Sequence, residues 1–366
     1  MFISYFFDNG SPCNWDYCDN ELVIELLYDH EAGATNKAAG HFHFSVNNPK
    51  QQPVKVRIKF TNNIWNGQLG SPFEAELPSY YSEDGKTWQV FVWNQQENGD
   101  LVAEFGNLSF FYLARLEPYT AVNLKQLCDD IQDHPAVSMS NIGTTVEARS
   151  LEMIHVGTGE QRVLLRARAH PWEPGGNWVI EGLIREFIAQ YEANPEKLKN
   201  IAFDIMPFAN KDGVARGMTR FNLKGADLNR GFSRPRAELA LIAPENIALL
   251  EWLDRQQVAG TLPVLALDFH NDCIGGLLIP TDDEVRMNIL AGSLRRHTFS
   301  PETVILSPNK DGFVAGVHAQ YGIAAATLEF NAKYIKNIEQ LPSAVHWQQF
   351  GRNFLEVALE FINANI

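Results

Sequence analysis

The sequence predicts an α/β protein: a mixed, mostly parallel sheet flanked by helices, with a separate N-terminal antiparallel β-sandwich. The chain has 366 residues, which is too long for one average domain. Residues 1 to about 115 consist of short runs of alternating polarity separated by turn residues. From about residue 145, strand-like and helix-like segments alternate, as they do in parallel sheets. We therefore predict two domains, 1–118 and 119–366.

The N-terminal domain is predicted from the polarity of its strands. Residues 54–60 read Val-Lys-Val-Arg-Ile-Lys-Phe, so apolar and charged side chains would face opposite sides of a half-buried strand. Comparable runs cover 39–48, 86–93 and 108–114, with Asn, Asp and Gly between runs, as in turns. Strands at this spacing favour a small sandwich or barrel.

Two histidines in the 39–48 run, His41 and His43, would share one face of a strand. Contact with a metal is one interpretation. A pair of surface or groove histidines is the favoured one.

The C-terminal domain is predicted from the alternation of strand-like and helix-like segments along the chain. The predicted strands are 162–169, 201–208, 262–269 and 324–330, and the predicted helices are 121–134, 178–191, 239–256, 283–296 and 344–363. The strongly apolar run at 262–269 is typical of a sheet covered on both faces. Reactive side chains in such sheets lie at the carboxyl ends of strands.

Composition excludes several classes of protein. The formal charge of −14 argues against sequence-independent binding to nucleic acid or anionic membranes. No apolar run reaches the length of a bilayer span, and the N-terminus lacks the basic region of a secretory signal. We expect a cytoplasmic protein with four reduced cysteines. A disulfide between Cys13 and Cys18 in an oxidising compartment is the alternative.

Four side chains follow the predicted strands at the positions that favour chemistry. His170 and Glu173 come after 162–169, His270 ends 262–269 and Glu329 ends 324–330. Three protein ligands with an open fourth position are the pattern of a catalytic zinc, and a further acid outside the ligand set can act as a base. A His-x-x-Glu sequence alone is a weak signal, because it occurs by chance in many chains.

A basic segment lies between these candidates. Residues 216–236 contain six basic residues and one acid, Asp227, in a chain whose overall charge is negative. The basic residues are Arg216, Arg220, Lys224, Arg230, Arg234 and Arg236. Guanidinium groups suit bidentate capture of a carboxylate, so an anionic ligand is predicted. A solvated basic loop is the alternative.

The motifs together resemble a known family. They are His-Pro-Trp-Glu at 170–173, Asn-Lys-Asp-Gly at 210–213, Gly-Ala-Asp-Leu-Asn-Arg at 225–230, Asp-Phe-His at 268–270 and Thr-Leu-Glu at 327–329. In this order they resemble the zinc metallocarboxypeptidases of the carboxypeptidase A type (peptidase family M14), and within them the cytosolic carboxypeptidase branch. Residues 77–88 and 110–119 resemble the β-sandwich of that branch and its junction with the catalytic domain.

The resemblance implies roles for eight residues. His170, Glu173 and His270 would bind one Zn²⁺ per chain. Glu329 would be the general base that deprotonates the metal-bound water, and Arg220 would polarise the scissile carbonyl. Asn229 and Arg230 would hold the terminal carboxylate of the substrate. Asp227 would accept a hydrogen bond from His170 and set its tautomer.

The sequence departs from the branch in one stretch. Residues 310–321 carry Gly316 roughly where eukaryotic members tend to place a basic residue, so the resemblance does not extend to a preference for terminal glutamate. Tyr321 is a candidate for the tyrosine that closes over substrate in the wider family, and a structural tyrosine is the alternative.

The leading hypothesis is a zinc carboxypeptidase that removes the C-terminal residue from a peptide or protein tail, with acidic, glutamate-rich tails among the candidates. The tail is the predicted partner, with no nucleic acid or membrane. A zinc acylase of N-acyl amino acids is the second hypothesis, since its substrates also carry a free carboxylate. A non-catalytic protein that binds peptide tails is the third.

Overall fold

The computed structural model describes residues 1–70, 78–272, 275–280, 284–299, 304–306 and 310–364. Among these residues, strands β1 to β14 precede the first helix. Their bounds are β1 Phe2–Ser4, β2 Cys13–Cys18, β3 Glu21–Leu26, β4 Asp29–His30, β5 Lys37–Ala38, β6 His43–Asn47, β7 Val54–Ile58, β8 Asn63–Trp65, β9 Gln68–Gly70, β10 Pro78–Ser82, β11 Gln89–Val92, β12 Asn94–Gln95, β13 Leu101–Phe105 and β14 Phe110–Ala114.

These strands form a sandwich and a small additional sheet. One five-stranded sheet has the order β1-β6-β14-β10-β11, and the other has the order β12-β13-β7-β3-β2. Apolar side chains of both sheets meet in one core, including Phe44 and Phe111 from the first and Ile24 and Val56 from the second. A separate four-stranded sheet has the order β4-β5-β8-β9. The predicted antiparallel pairing holds except between β3 and β7, which are parallel.

The rest of the described chain contains one large sheet with helices around it. The strands are β15 Val137–Thr144, β16 Ser150–Val156, β17 Gln161–Ala167, β18 Ile201–Met206, β19 Leu265–Asp272, β20 Gly276–Ile279, β21 Val304–Leu306 and β22 Ala324–Asn331. The helices are α1 Ala121–Ile131, α2 Gly175–Ala193, α3 Pro195–Leu198, α4 Lys211–Ala215, α5 Arg236–Ile242, α6 Pro244–Ala259, α7 Glu284–His297, α8 Phe313–Tyr321 and α9 Ala344–Ala364, with a 3₁₀ turn at Lys336–Ile338.

The large sheet is mixed with a parallel centre, as the sequence predicts. Its order is β15-β16-β18-β17-β19-β22-β20-β21, and β18, β17, β19 and β22 are mutually parallel. Successive residues of β17 point to opposite faces. Val163 and Leu165 join the core formed with α1, α2, α7 and α9, whereas Leu164 joins the core formed with α5, α6 and α8. Helices therefore cover the centre of the sheet on both faces.

Helix α2 and helix α9 pack closely because glycines lie at their contact. A Cβ atom on Gly351 of α9 would lie 1.9 Å from the carbonyl oxygen of Val179 of α2. A Cβ atom on Gly182 of α2 would lie 2.0 Å from the carbonyl oxygen of Gln348 of α9. No other residue type fits either position without moving a helix backbone.

Two local features differ from the prediction. The single helix predicted over 239–256 is two helices, α5 and α6, with Ala243 between them in a non-helical conformation. Pro244 explains the break, because proline lacks the N–H that a continuous helix needs and disfavours helical geometry in the preceding residue. Strands β15 and β16, which extend the sheet by antiparallel pairing, were not predicted. The boundary at residue 118 stays a prediction; it falls between β14 and α1.

The structure also bears on the disulfide considered for Cys13 and Cys18 and on the surface position favoured for His41 and His43. Cys13 and Cys18 begin and end β2, so their Cα atoms lie about 16 Å apart, far beyond disulfide distance. Cys273 lies outside the described residues. His41 and His43 are buried rather than on a surface or in a groove, and burial lowers the pKa of His43 to about 3. Neither belongs to a cluster of metal-ligating side chains within the described ranges.

Candidate active site and metal centre

The site lies where the carboxyl ends of three parallel strands meet. His270 lies in β19, in register with Glu329 of the neighbouring β22. His170 and Glu173 follow β17, which pairs with β19 on its other side. The turn after β17 contains Arg168, a buried residue with a left-handed φ of 61°, a conformation that costs an L-residue about 1–2 kcal/mol. Asn210 N donates to the Arg168 carbonyl at 2.9 Å and holds this turn.

His170, Glu173 and His270 form a compact group of three buried ligands. Among the described residues they are the one group of three or more potential metal ligands, with ligand atoms all within 4.8 Å of one another. The Nδ1 atoms of the two histidines are 3.2 Å apart. Each lies 2.8 Å from an oxygen of Glu173. Ligands at zinc distances in a tetrahedral site lie about 3.3 Å apart, so this spacing suits zinc.

The outer nitrogens of the two imidazoles set their tautomers. His170 Nε2 lies 3.1 Å from Asp227 Oδ1, and His270 Nε2 lies 2.9 Å from Asp268 Oδ2. Each Nε2 can therefore donate its proton to a carboxylate, which leaves both Nδ1 lone pairs directed toward Glu173. Three acceptors that face one another at hydrogen-bond distance need a cation between them. The donor set thus fits a divalent metal.

The charges around the triad lead to the same conclusion. Three carboxylates, Glu173, Asp227 and Asp268, are buried at the site. Two guanidinium groups balance two of them, because Arg166 Nη1 donates to Asp268 at 2.8 Å and Arg220 Nη2 lies 2.7 Å from Asp227. Burial alone would raise the pKa of Glu173, but His170 and His270 outweigh it and lower that pKa to about 2. Glu173 is therefore ionised and available as a metal ligand.

Glu329 is chemically different from Glu173 although both line the same cleft. Burial raises the pKa of Glu329 to about 8, and the nearby carboxylates Glu173, Asp272 and Asp268 act in the same direction against the opposing effect of His270. A cation held by the triad would lower this pKa by its positive charge. A carboxyl group with a pKa adjusted toward neutrality is suited to accept and return a proton.

The cleft has a volume of about 390 Å³ and opens beside the triad. Described residues from both sides of the sheet edge line it. They are His170, Trp172, Glu173, Arg220, Asn229, Arg230, Asn271, Asp272, Leu278, Gly312, Val314, Ala315, Thr327 and Glu329. The cleft therefore brings together two of the three triad residues, His170 and Glu173, with Glu329 and the cationic side chains Arg220 and Arg230.

Asp227 links the metal ligands to the basic segment. Besides its contact with His170, it accepts a hydrogen bond from Arg220 Nε at 3.0 Å and from the backbone N–H of Asn229 at 2.9 Å. Burial would raise its pKa, but Arg220 and His170 hold that pKa well below its usual range. One ionised carboxylate thus orients a metal ligand and an arginine together.

Asn229 and Arg230 line the same cleft as Glu329. Arg230 Nη1 donates to the Asn229 carbonyl at 2.7 Å, and Asn229 Oδ1 accepts from the backbone N–H of Phe313 at 3.3 Å. No carboxylate of the described residues is within ion-pair distance of Arg230. Burial lowers the pKa of Arg230, and an anionic ligand would restore the favourable environment of the charge.

Some site residues were missed in the sequence, and one candidate lies elsewhere. Asp268 is two residues before His270 in β19 and so lies on the same face, which period-two reasoning could have identified. Tyr321 does not line the cleft: its hydroxyl donates to Asp254 at 2.6 Å and accepts from Arg236 at 2.9 Å, a structural role. A Cβ atom on Gly316 would lie 2.3 Å from Phe232 Cβ, so no larger side chain fits there.

The fold and the triad define an α/β protein with a buried site for a divalent metal. Residues 124–263 match the family model of zinc carboxypeptidases, Peptidase_M14. This part of the chain is thus similar to zinc carboxypeptidases, and the His-Glu-His triad is able to hold a metal ion.

Curated relatives agree with this family. An uncharacterised protein of Zymomonas mobilis is 25% identical over 270 residues, 73% of this chain and 66% of its own. Cytosolic carboxypeptidase 1 of Danio rerio is 34% identical over 125 residues, 34% of this chain and 10% of its own. The chain thus spans less than two thirds of the length of these relatives, and far less in the second case.

Solved structures share the fold over the whole chain. A metallo-carboxypeptidase from Burkholderia cenocepacia has a TM-score of 0.84 at 20% identity and covers 100% of both chains. A metallo-carboxypeptidase from Pseudomonas aeruginosa, in complex with (2-guanidinoethylmercapto)succinic acid, has a TM-score of 0.81 at 20% identity, over 100% of this chain and 99% of its own. The N-terminal sheets are therefore part of the shared architecture.

Proposed function

We propose that this protein is a zinc-dependent carboxypeptidase that hydrolyses the C-terminal peptide bond of peptides or protein tails. The observation that carries the proposal is one cleft lined by His170 and Glu173 of the triad, by Glu329 and by Asn229 and Arg230, with the buried His270 completing the triad. A site for a metal, a proton acceptor and a site for a terminal carboxylate are the three parts that an exopeptidase needs.

His170, Glu173 and His270 would hold the zinc. When bound, zinc supplies a Lewis acid that polarises a carbonyl and lowers the pKa of a coordinated water. Glu329 would accept the proton of the attacking water and pass it to the leaving nitrogen. Arg220, fixed by Asp227, would stabilise negative charge on the carbonyl oxygen of the scissile bond.

Asn229 and Arg230 would bind the free carboxylate of the substrate. A guanidinium presents parallel N–H groups that match a carboxylate, and an amide adds a further donor. The Asn229 amide oxygen already accepts a hydrogen bond from Phe313 N, so its NH₂ group is the part available to a ligand. Binding at this end is what would restrict cleavage to the last residue.

The cleft wall favours an uncharged terminal side chain over glutamate. Apart from Arg220 and Arg230, the cleft-lining residues that the structure describes include no arginine or lysine. Leu278, Val314, Ala315 and Thr327 supply apolar and small side chains instead. An acidic side chain would also meet Asp272.

The relatives support a cytoplasmic location, since several are named cytosolic carboxypeptidases. None of the described helices has the length and apolarity of a membrane span. The expected partner is the peptide tail itself.

Metal content and product release test the proposal. Protein purified without added zinc is expected to hold about one zinc per chain and to release single amino acids from peptides that differ at the C-terminus. Glu329→Gln should lower kcat by about 10²–10⁴-fold with zinc retained, because the proton acceptor is lost while the ligands remain. Glu25→Gln, at an exposed position of β3, is the control and should leave both unchanged.

Two outcomes would refute the proposal. Full activity in Glu329→Gln would exclude the assigned base. Release of amino acids from N-acyl amino acids but from no peptide would identify an acylase instead.

A further inference from the structure

The small N-terminal sheet reaches the basic wall of the cleft through one aromatic side chain. Trp65 ends β8, an inner strand of that sheet. The centroid of its ring lies 4.3 Å from Arg220 Cζ and 5.9 Å from Arg230 Cζ. Both distances are within the range of a cation–π interaction. Trp65 is not among the described residues that line the cleft.

The same sheet also holds the backbone of the segment that carries these arginines. Asp29 of β4 accepts hydrogen bonds from the backbone N–H groups of Arg220 at 2.6 Å and Phe221 at 2.8 Å. Ala32 N donates to the Gly225 carbonyl at 2.9 Å. A Cβ atom on Gly225, whose φ is 73°, would lie 2.6 Å from Ala32 N. The two segments are therefore in close contact along several residues.

Trp65 places an aromatic face beside two neighbouring positive charges, those of Arg220 and Arg230. Burial lowers the pKa of Arg230, and Arg220 lies close enough to Arg230 to lower that pKa further by charge repulsion. Asp227 offsets part of this repulsion. A further carboxylate would compete with a substrate carboxylate for the remaining N–H groups. The face of an indole ring attracts cations through its quadrupole and accepts no strong hydrogen bond, so the donors remain available.

We propose that Trp65 is a positioning residue for the substrate-carboxylate site, which the N-terminal sheet and the catalytic domain build together. It holds Arg220 and Arg230 in place and excludes water from one side of both groups. This inference rests on the proposed function and adds a role for the N-terminal sheet. Arg220 keeps its two contacts with Asp227 when the ring is lost, so the loss weakens the binding of the free carboxylate at Arg230 and leaves the chemistry at the triad intact.

Steady-state kinetics on Trp65 variants test the inference. With a peptide that has a free C-terminus, Trp65→Leu is expected to raise KM about three- to tenfold, the equivalent of about 0.7–1.4 kcal/mol, with kcat within about twofold. Trp65→Phe keeps an aromatic face and should stay within about twofold of the wild type in both constants. Trp15→Ala, at an exposed position of β2, is the matched control and should change neither.

A binding measurement separates this inference from the proposed activity. In a zinc-loaded Glu329→Gln background, calorimetry compares one peptide with a free carboxylate and the same peptide amidated at its C-terminus. Trp65→Leu should weaken binding of the first by the factor seen in KM and leave the second unchanged. This comparison keeps its meaning even when the wild type releases no amino acid.

Three results would overturn the inference. They are an unchanged KM in Trp65→Leu, an equal loss of affinity for both peptides, and a Trp65→Phe variant as impaired as Trp65→Leu with the same melting temperature as the wild type. An active wild type with an unaffected Trp65→Leu would refute this inference alone. An inactive wild type whose carboxylate binding depends on Trp65 would refute the proposed activity alone.

Discussion

Single side chains at the centre of the site have more than one partner. Asp268 accepts from His270 Nε2 at 2.9 Å and from Arg166 Nη1 at 2.8 Å, and all three residues are fully buried. The guanidinium keeps Asp268 ionised against the effect of burial, which alone would raise its pKa. Ionised Asp268 in turn orients His270. A residue outside the triad therefore determines where a potential metal-ligand atom lies.

At the residue scale, we predict that Asp268→Asn weakens zinc binding. The amide can no longer carry the negative charge that orients His270 and increases its basicity, and losses of about 10–100-fold in metal affinity follow changes of this kind. Competition with a chelator of known affinity measures the effect. Asp16→Asn, an exposed change in β2, provides the comparison. Equal affinity in Asp268→Asn and the wild type would show that Asp268 does not support the ligand.

Secondary-structure elements are joined by buried polar contacts as well as by apolar packing. Asp204 of β18 binds Arg162 of β17 through Nε at 2.7 Å and His155 of β16 through Nδ1 at 2.6 Å. Burial would raise the pKa of Asp204, but these two partners lower it below its usual value. One carboxylate therefore connects three adjacent strands.

This contact predicts a pH dependence of stability. Because the pKa of Asp204 is lower in the folded state, ionised Asp204 stabilises the fold above the unfolded pKa of about 4, and this contribution is lost as the pH falls through the folded pKa. Asp204→Asn should therefore unfold at a lower denaturant concentration than the wild type at pH 7. The difference should shrink as the pH falls below about 4. A difference between the two denaturation midpoints that does not change with pH would contradict a stabilising role of ionised Asp204.

Helix packing gives a prediction with a control inside the chain. Gly351→Ala should lower the free energy of unfolding by about 1–3 kcal/mol, because its Cβ atom would lie 1.9 Å from the Val179 carbonyl oxygen and the helices must separate. In Gly292→Ala of α7 the nearest atom is Arg296 Nη1 at 3.4 Å. That change should stabilise by about 0.5–1 kcal/mol through helix propensity. Chemical denaturation of both variants distinguishes a packing effect from a propensity effect.

The sequence predicted strands whose polarity alternates clearly and missed strands that lack such a pattern. Strand β7 was predicted from alternation, and Val54, Val56 and Ile58 are buried while Lys55 and Arg57 are more exposed. Such a pattern depends on neighbours two residues apart, which the sequence displays directly. The antiparallel strands β15 and β16 were missed. Their pairing depends on an open edge of the sheet, and the polarity of their own residues does not reveal that edge.

At the scale of the whole molecule, the N-terminal sheets and the part of the chain that forms the large sheet share a polar interface. Asn9 Nδ2 donates to the Val214 carbonyl at 3.0 Å, and Ala121 N donates to Asp8 at 2.7 Å. Tyr80 donates to the Pro342 carbonyl. These contacts involve the beginning, the middle and the end of the segment 119–366, so the N-terminal sheets and this segment hold each other in a defined orientation.

Metal binding should therefore affect the stability of the molecule as well as its activity. A ligand that binds only the folded state stabilises it by about 2.7 kcal/mol at a concentration 100 times its Kd. We predict that chelation of zinc lowers the melting temperature by at least several degrees. His270→Ala, which lacks one ligand, should melt at the same temperature with and without chelator. An identical melting temperature of the wild type in both conditions would argue against a metal in the triad.

The sequence by itself determined the fold class and the types of residue at the site. Alternation, apolar runs and the position of His170, Glu173, His270 and Glu329 after strands are local properties, and the topology of a parallel sheet then brings strand ends together. Only the tertiary structure decided which groups support them. Asp29 binds Arg220 across 191 residues of sequence, and Trp65 packs on two arginines from another domain. No local pattern encodes such contacts, because they depend on the packing of complete elements against each other.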